Sequence, residues 1–150
     1  MTPANMTQEE TRKVNTDHCK HIANTLESYA YGQMWRCEEC GEIVNDADYP
    51  DFDGSIIDTC PHCGEEATFE QLSVYDWLDD ALDVNYVVSS NGHYMHGLVM
   101  VAYGGPSIYV NTRSCEVELY WWADRANYPI TRAACDELDA ALEELFTSMC

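Results

Sequence analysis

Four cysteines in two closely spaced pairs place the strongest constraint on how this chain can fold. Cys37 and Cys40 enclose two residues, Cys60 and Cys63 do the same, and 19 residues separate the two pairs. Two residues between cysteines allow both sulfurs of a tight turn to reach one metal ion, at about 2.3 Å for zinc. A glycine follows each pair, and glycine permits the backbone geometry that directs amide groups at the sulfurs. The spacing therefore predicts a tetrahedral site with four thiolate ligands.

The two Cys-x-x-Cys-Gly segments, of which the second reads Cys-Pro-x-Cys-Gly, resemble the knuckles of zinc ribbons and of rubredoxin over residues 35–66. The zinc-ribbon resemblance implies a zinc ion, and the rubredoxin resemblance implies iron and electron transfer. Four thiolates leave no open position for water, so we expect a structural metal rather than a catalytic one. We expect zinc as the cofactor, with iron as the alternative.

The charge of the chain is the second constraint. There are 27 Asp and Glu against 7 Lys and Arg, for a formal net charge of −20. No Lys or Arg lies between Arg36 and Arg113, an interval that holds 15 carboxylates. Proteins that bind nucleic acid neutralise phosphates with clustered Lys and Arg, so we expect no direct binding to nucleic acid and instead a basic partner. Solubility, or adaptation to a salty cytoplasm, would also account for the acidity.

Helical periodicity is found at both ends of the chain. Residues 8–30 are predicted to form an N-terminal helix, whose apolar positions are Val14, Ile22, Leu26 and Tyr29. The pattern also predicts a short helix over 74–83 and a C-terminal helix over 132–147.

The region between these helices has the composition of β-strands. Asn91-Gly92 is a strong hairpin signal between two of the segments. The predicted strands cover 84–89, 94–103, 107–111 and 116–122. We therefore expect an α+β fold, with a four-stranded antiparallel sheet and the C-terminal helix packed on one of its faces. The predicted segments are the N-terminal helix (1–34), the zinc-ribbon module (35–70) and an α+β domain (71–150).

The segment 104–145, GGPSIYVNTRSCEVELYWWADRANYPITRAACDELDAALEEL, resembles small acidic proteins encoded by phages and mobile elements. This resemblance implies an anti-CRISPR or anti-restriction role, in which the protein occupies the basic nucleic-acid groove of a host effector. The chain has no nucleophile elbow, P-loop, dinucleotide fingerprint or zinc-protease helix. We therefore expect a binding protein and not an enzyme.

Carboxylates that imitate phosphates are the expected means of binding. Trp121 and Trp122 are adjacent on a predicted strand and point to opposite faces, so one of them should be exposed and able to anchor an interface. The predicted partner-binding residues are Glu38, Glu39, Asp46, Asp48, Asp51, Asp53, Asp58, Asp76, Asp79, Asp80, Asp83 and Trp122. Two alternatives stay open: a rubredoxin-like iron electron carrier, and a soluble acidic adaptor with a structural zinc.

The expected location follows from two absences in the sequence. The first ten residues, MTPANMTQEE, lack the basic and then apolar pattern of a secretory signal. No apolar run approaches the roughly 18 residues that span a bilayer. We expect a cytoplasmic protein without membrane contact, in the host cytoplasm if it is phage encoded.

Overall fold

The fold is α+β, with a helix near each end of the chain and two antiparallel sheets between them. The computed structural model describes residues 6–52 and 57–149. The helices are α1 (Gln8–Ala30), α2 (Val74–Asp79) and α3 (Arg132–Ser148), with a 3-10 turn at Asp46–Asp48. The strands are β1 (Met34–Cys37), β2 (Ile43–Asn45), β3 (Ile57–Thr59), β4 (Glu66–Gln71), β5 (Asp83–Val88), β6 (Tyr94–Ala102), β7 (Ser107–Asn111), β8 (Glu116–Trp121) and β9 (Asp124–Pro129).

The larger sheet is a meander of five strands in the order β5-β6-β7-β8-β9. The prediction of four strands is therefore wrong by one, because β9 pairs antiparallel with β8 from Trp121↔Asp124 to Glu116↔Pro129. The sequence of β9 is mostly polar and ends in a proline, which a sheet tolerates on an edge strand. Ala126 and Tyr128 lie opposite Leu119 and Val117 and pack against the main core.

One face of the larger sheet forms the main core. Val99, Val110 and Val117 make a buried row across three neighbouring strands. Helix α3 lies against β6, and α1 lies along β8 and β9. The predicted packing of the C-terminal helix on one face is thus confirmed, and the N-terminal helix covers the same core.

The smaller sheet carries the cysteines. Its order is β2-β1-β4-β3, so two hairpins lie side by side through β1 and β4. A separate small core, which includes Trp35, Phe52 and Phe69, lies within this module. The rings of Phe52 and Phe69 meet edge to face with centroids 4.9 Å apart.

Hydrogen bonds join this module to the C-terminal end of α1. The Asn45 side chain donates to Ser28 Oγ at 3.1 Å, and the Gln71 side chain donates to the carbonyl of Gly32 at 2.8 Å. These bonds hold the smaller sheet at the C-terminal end of α1.

The phase of α1 differs from the predicted one at its start. Val14 is exposed, whereas the neighbouring Asn15 and then Cys19, Ala23 and Leu26 are buried. The predicted division of the chain at residues 34 and 70 stays a prediction. No helix within residues 6–52 and 57–149 combines the length and apolarity needed to cross a membrane.

Candidate metal centre

Each cysteine pair forms a tight turn that follows a short strand. In the first turn, the Gly41 amide donates to the carbonyl of Cys37 at 2.8 Å, and in the second the Gly64 amide donates to the carbonyl of Cys60 at 2.8 Å. Gly41 has φ of 77° and Gly64 has φ of 75°, values in the left-handed region that favours glycine. The two turns are therefore copies of one conformation, brought together by the β1–β4 pairing.

The four sulfurs converge on one point. Cys37 Sγ lies 4.0 Å from Cys63 Sγ, and Cys40 Sγ lies 3.8 Å from Cys60 Sγ. All four sulfurs lie within 4.8 Å of one another. A tetrahedral ion with arms of about 2.3 Å has sulfur-to-sulfur edges of about 3.8 Å. The cluster predicted from the spacing is confirmed, and its geometry fits a single metal ion held by four thiolates.

The backbone around Cys60 favours its thiolate. Burial raises the pKa of the Cys60 thiol, but the amides of Cys63 and His62 and the thiols of Cys37 and Cys63 lower it, so the net pKa falls to about 7. The amide of His62 lies 3.4 Å from the Cys60 sulfur. A thiol with a lowered pKa is a good metal ligand, because the thiolate is the form that binds.

The pKa of the Cys40 thiol shifts in the opposite direction. The Glu42 amide lowers the pKa of the Cys40 thiol, whereas desolvation and hydrogen bonds with the other three thiols raise it, to about 12. Four thiols this close repel one another once they ionise, so a cation is needed to stabilise the fully ionised set. A metal ion supplies that cation.

The candidate partner-binding acids are placed as follows. The exposed ones are Glu38, Glu39, Asp48, Asp51, Asp79, Asp80 and Asp83. The half-buried ones are Asp46, Asp58 and Asp76. Asp53 lies outside the described residues.

Two of the half-buried acids stabilise local structure. The Asp76 carboxylate accepts from the Ser73 amide at 2.8 Å and completes the capping box of α2. The Asp46 carboxylate accepts from the Trp35 indole N–H at 3.2 Å and so links the 3-10 turn to β1. These carboxylates are less free to meet a partner than Glu38 and the other exposed acids.

Helix α2 and the start of the cysteine module lie near the C-terminal end of α1. Charged residues of both act on Tyr29, in the last turn of α1. Burial raises the pKa of Tyr29, the Asp80 carboxylate raises it further, Arg36 of the module lowers it, and Asp76 raises it.

Trp122 lies at the other end of α1. It forms the turn between β8 and β9, is 95% exposed, and shares a groove with Gln8 and Thr11 of the first turns of α1. Asn15 lines the same groove, and about 21 Å of helix separates Asn15 from Tyr29. The exposure expected for one of the two tryptophans is present, but the structure does not bring Trp122 together with the acidic residues.

Asn15 is the residue of this region that sequence reasoning missed. A signal was available, since Asn15, Cys19, Ala23 and Leu26 follow helical spacing, but an asparagine is normally assigned to the solvated side.

Comparisons with protein-family models, with curated proteins and with solved structures give no match. The resemblance of residues 104–145 to phage proteins therefore gains no support from a family match.

Proposed function

We propose that this protein is a small acidic zinc-containing binding protein, encoded by a phage or mobile element, that inhibits a nucleic-acid-binding host defence effector by occupying its basic groove. The observation that carries the proposal is the absence of Lys and Arg from residues 37–112, an interval with 15 carboxylates. A surface of this kind attracts a cationic surface and repels nucleic acid.

The exposure of these acids supports the proposal. Glu38, Glu39 and Asp79 are exposed and have no Lys or Arg partner within the described part of the chain. Arg36 forms a long ion pair with Glu70 at 3.7 Å. A partner that supplies Lys and Arg would therefore meet exposed carboxylates without an ion pair of their own, as it meets exposed phosphates on a nucleic acid.

The metal that we propose is zinc, in a structural role. Zinc with four thiolates carries a net charge of −2 and would add to the charge of the module. Iron in the same four sulfurs would make the protein coloured, as the electron-carrier alternative requires. Elemental analysis together with the visible absorption spectrum of the purified protein separates the two metals.

Capture from a bacterial lysate tests the proposed partner class. The lysate is first treated with nuclease, so that nucleic acid cannot bridge two proteins, and the immobilised chain is loaded at low salt. We expect a nucleic-acid-binding protein to be retained and then released by added double-stranded DNA or RNA. Retention of a partner that nucleic acid does not release would contradict the proposal and favour the adaptor alternative.

A matched pair of variants locates the contact surface. Glu38→Gln/Glu39→Gln removes two charges from the first cysteine turn, and Glu137→Gln/Glu143→Gln removes two from exposed glutamates of α3. We expect the first variant to weaken capture and the second to leave it nearly unchanged. Equal effects of the two variants would point to a general charge effect rather than to a binding face.

A further inference from the structure

A groove runs between the start of α1 and the β8–β9 hairpin, away from the metal centre. It encloses about 330 Å³ and is lined by Gln8, Thr11, Asn15, Trp121, Trp122, Ala123 and Asp124. Its walls thus combine two indoles, a carboxylate and the side chains of one helix face. This mixture is typical of sites that bind a chain with both apolar and polar parts.

The floor of the groove contains a buried amide without a partner. Asn15 is only 3% exposed, and its Nδ2 has no hydrogen bond to any described residue. An unpaired buried polar group of this kind destabilises the fold, because it has lost its hydrogen bonds to water without gaining others. Because Nδ2 is closed off from solvent, a peptide carbonyl can accept from it only once the Asn15 side chain turns toward the groove, and binding would then remove this destabilisation.

Trp122 supplies a large exposed aromatic surface beside this amide. Its φ is 56°, in the left-handed region that a bulky residue rarely adopts. The hairpin therefore holds an indole in solvent at a position where glycine would be easier to accommodate. Exposed indoles bind cations through the face of the ring, and arginine is the most common partner.

Asp124 provides the charge on the wall. Its side chain is 18% exposed and pairs with Arg12 at 3.8 Å, while the Arg12 side chain is 59% exposed. A pair this long gains little from hydrogen bonding. Arg12 can therefore move to solvent, and an incoming guanidinium can take its place on a carboxylate that is largely desolvated.

We propose that this groove binds an arginine-containing peptide segment of the basic partner. The arginine stacks on Trp122 and pairs with Asp124. Once the Asn15 side chain turns toward the groove, a main-chain carbonyl of the peptide accepts from its Nδ2. Arg12 occupies the place of the ligand arginine in the free protein. The net charge of −20 favours the approach of such a segment. This inference rests on the proposed function for the nature of the partner, but it names a second contact, separate from the acidic residues at the other end of α1.

The test is an NMR titration of the metal-loaded full chain with the pentapeptide acetyl-Gly-Gly-Arg-Gly-Gly-amide. The same peptide with citrulline in place of arginine is the neutral probe of equal shape. We expect the indole N–H signals of Trp121 and Trp122 and the side-chain amide signals of Asn15 to shift and to saturate. We also expect the arginine peptide to bind about tenfold more tightly than the citrulline peptide, because only arginine gains the ion pair and the cation–π contact.

Three variants are expected to differ in their effect on peptide binding. Asp124→Asn should abolish the preference for arginine over citrulline. Arg12→Gln should raise the affinity for the arginine peptide severalfold, because it removes the competing cation. Met95→Ala, which truncates another exposed side chain, on β6, should change neither.

Asn15→Leu separates a binding role from a structural one. It should raise the melting temperature, because an unpaired buried amide is replaced by an apolar group of similar size, and it should weaken peptide binding. If this variant fails to fold, Trp122→Ala, which alters only an exposed side chain, should weaken binding without changing the fold.

Several results would overturn the inference. These are equal affinity for the two peptides, signal shifts confined to the cysteine module, unchanged affinity in both Asn15→Leu and Trp122→Ala, or no saturable shift at Trp122. If the pentapeptide fails while DNA still releases a captured partner, this inference is wrong and the proposed function stands. If the pentapeptide binds as described and no partner is captured from the lysate, this inference stands and the proposed function is wrong.

Discussion

The metal centre depends at the residue scale on a small number of backbone amides. The amide of His62 points at the Cys60 sulfur at 3.4 Å, and burial of Cys60 is offset by such contacts. Gly64, with φ of 75°, closes the same turn, because its amide donates to the Cys60 carbonyl. The glycine after each cysteine pair therefore stabilises the turn that presents the sulfurs.

Replacement of one ligand tests the metal site. Cys60→Ser should lower metal affinity by more than about 100-fold, since loss of an outer-shell partner alone can cost that much. The measurement is the metal-to-protein ratio by elemental analysis after gel filtration. Cys115→Ser is the control, because Cys115 lies in the β7–β8 turn, outside the cluster. A full metal complement in Cys60→Ser would contradict a four-cysteine site.

The sequence predicted the four ligands because their spacing is a local property of the chain. The buried face of α1 was harder to predict. Val14 is apolar but exposed, and Asn15 is polar but buried. Which of two neighbouring residues faces the core depends on how α1 lies along β9, and the sequence of α1 alone does not contain that contact.

At the scale of elements, the close packing of α3 on β6 depends on Gly97. A Cβ at this position would lie 2.6 Å from Leu142 Cδ1, and Leu142 is fully buried. The same contact is fixed by a polar network, in which the Asp139 carboxylate accepts from the Tyr94 hydroxyl at 2.6 Å and from the Thr112 hydroxyl at 2.8 Å.

Gly97→Ala should therefore destabilise the protein. The added methyl group must displace a packed side chain, which costs about 1–3 kcal/mol in a core. Urea denaturation followed by circular dichroism gives the change in the free energy of unfolding. Ala102→Gly, in which a methyl group is removed from the same strand near its end, is a control for strand propensity. An unchanged midpoint in Gly97→Ala would show that α3 packs less closely than described.

Removal of the metal should destabilise the cysteine module and leave the larger sheet folded. The cysteine module has its own small core around Trp35 and Phe69, whereas the larger sheet shares its core with α1 and α3. A core of this small size is not stable without a metal ion or another cross-link. After chelation, hydrogen exchange should rise across residues 34–52 and 57–71 and stay slow in β6, β7 and β8. Equal loss of protection in both sheets would contradict this independence.

Strand β9 shows why the sheet was predicted one strand short. The turn before it, Trp122-Ala123, lacks the glycine or asparagine that marks most two-residue hairpins. The strand itself reads Asp-Arg-Ala-Asn-Tyr-Pro, and only Ala126 and Tyr128 supply apolar side chains to the main core, so its apolar alternation is too short to indicate a strand. The formation of β9 therefore depends on its packing against α1 as well as on its own sequence.

At the scale of the whole molecule, α1 separates two surfaces of different character. The cysteine module and α2 lie at its C-terminal end, where Asp80 and Asp76 act on Tyr29. The Trp122 groove lies at its N-terminal end, where Arg12 meets Asp124. The acidity of the chain was evident from its sequence. The distance between the acidic residues and the exposed Trp122 could not be predicted, because it depends on the direction in which the larger sheet lies against α1.

The salt dependence of partner binding tests the central proposal most directly. The affinity of the captured partner is measured by calorimetry at several salt concentrations, for the unmodified chain, for Glu38→Gln/Glu39→Gln and for the control Glu137→Gln/Glu143→Gln. If the carboxylates imitate phosphates, affinity falls steeply as salt rises, and the slope becomes shallower in Glu38→Gln/Glu39→Gln alone. An affinity that stays constant between low and high salt would contradict the proposal that the acidic surface occupies a basic groove.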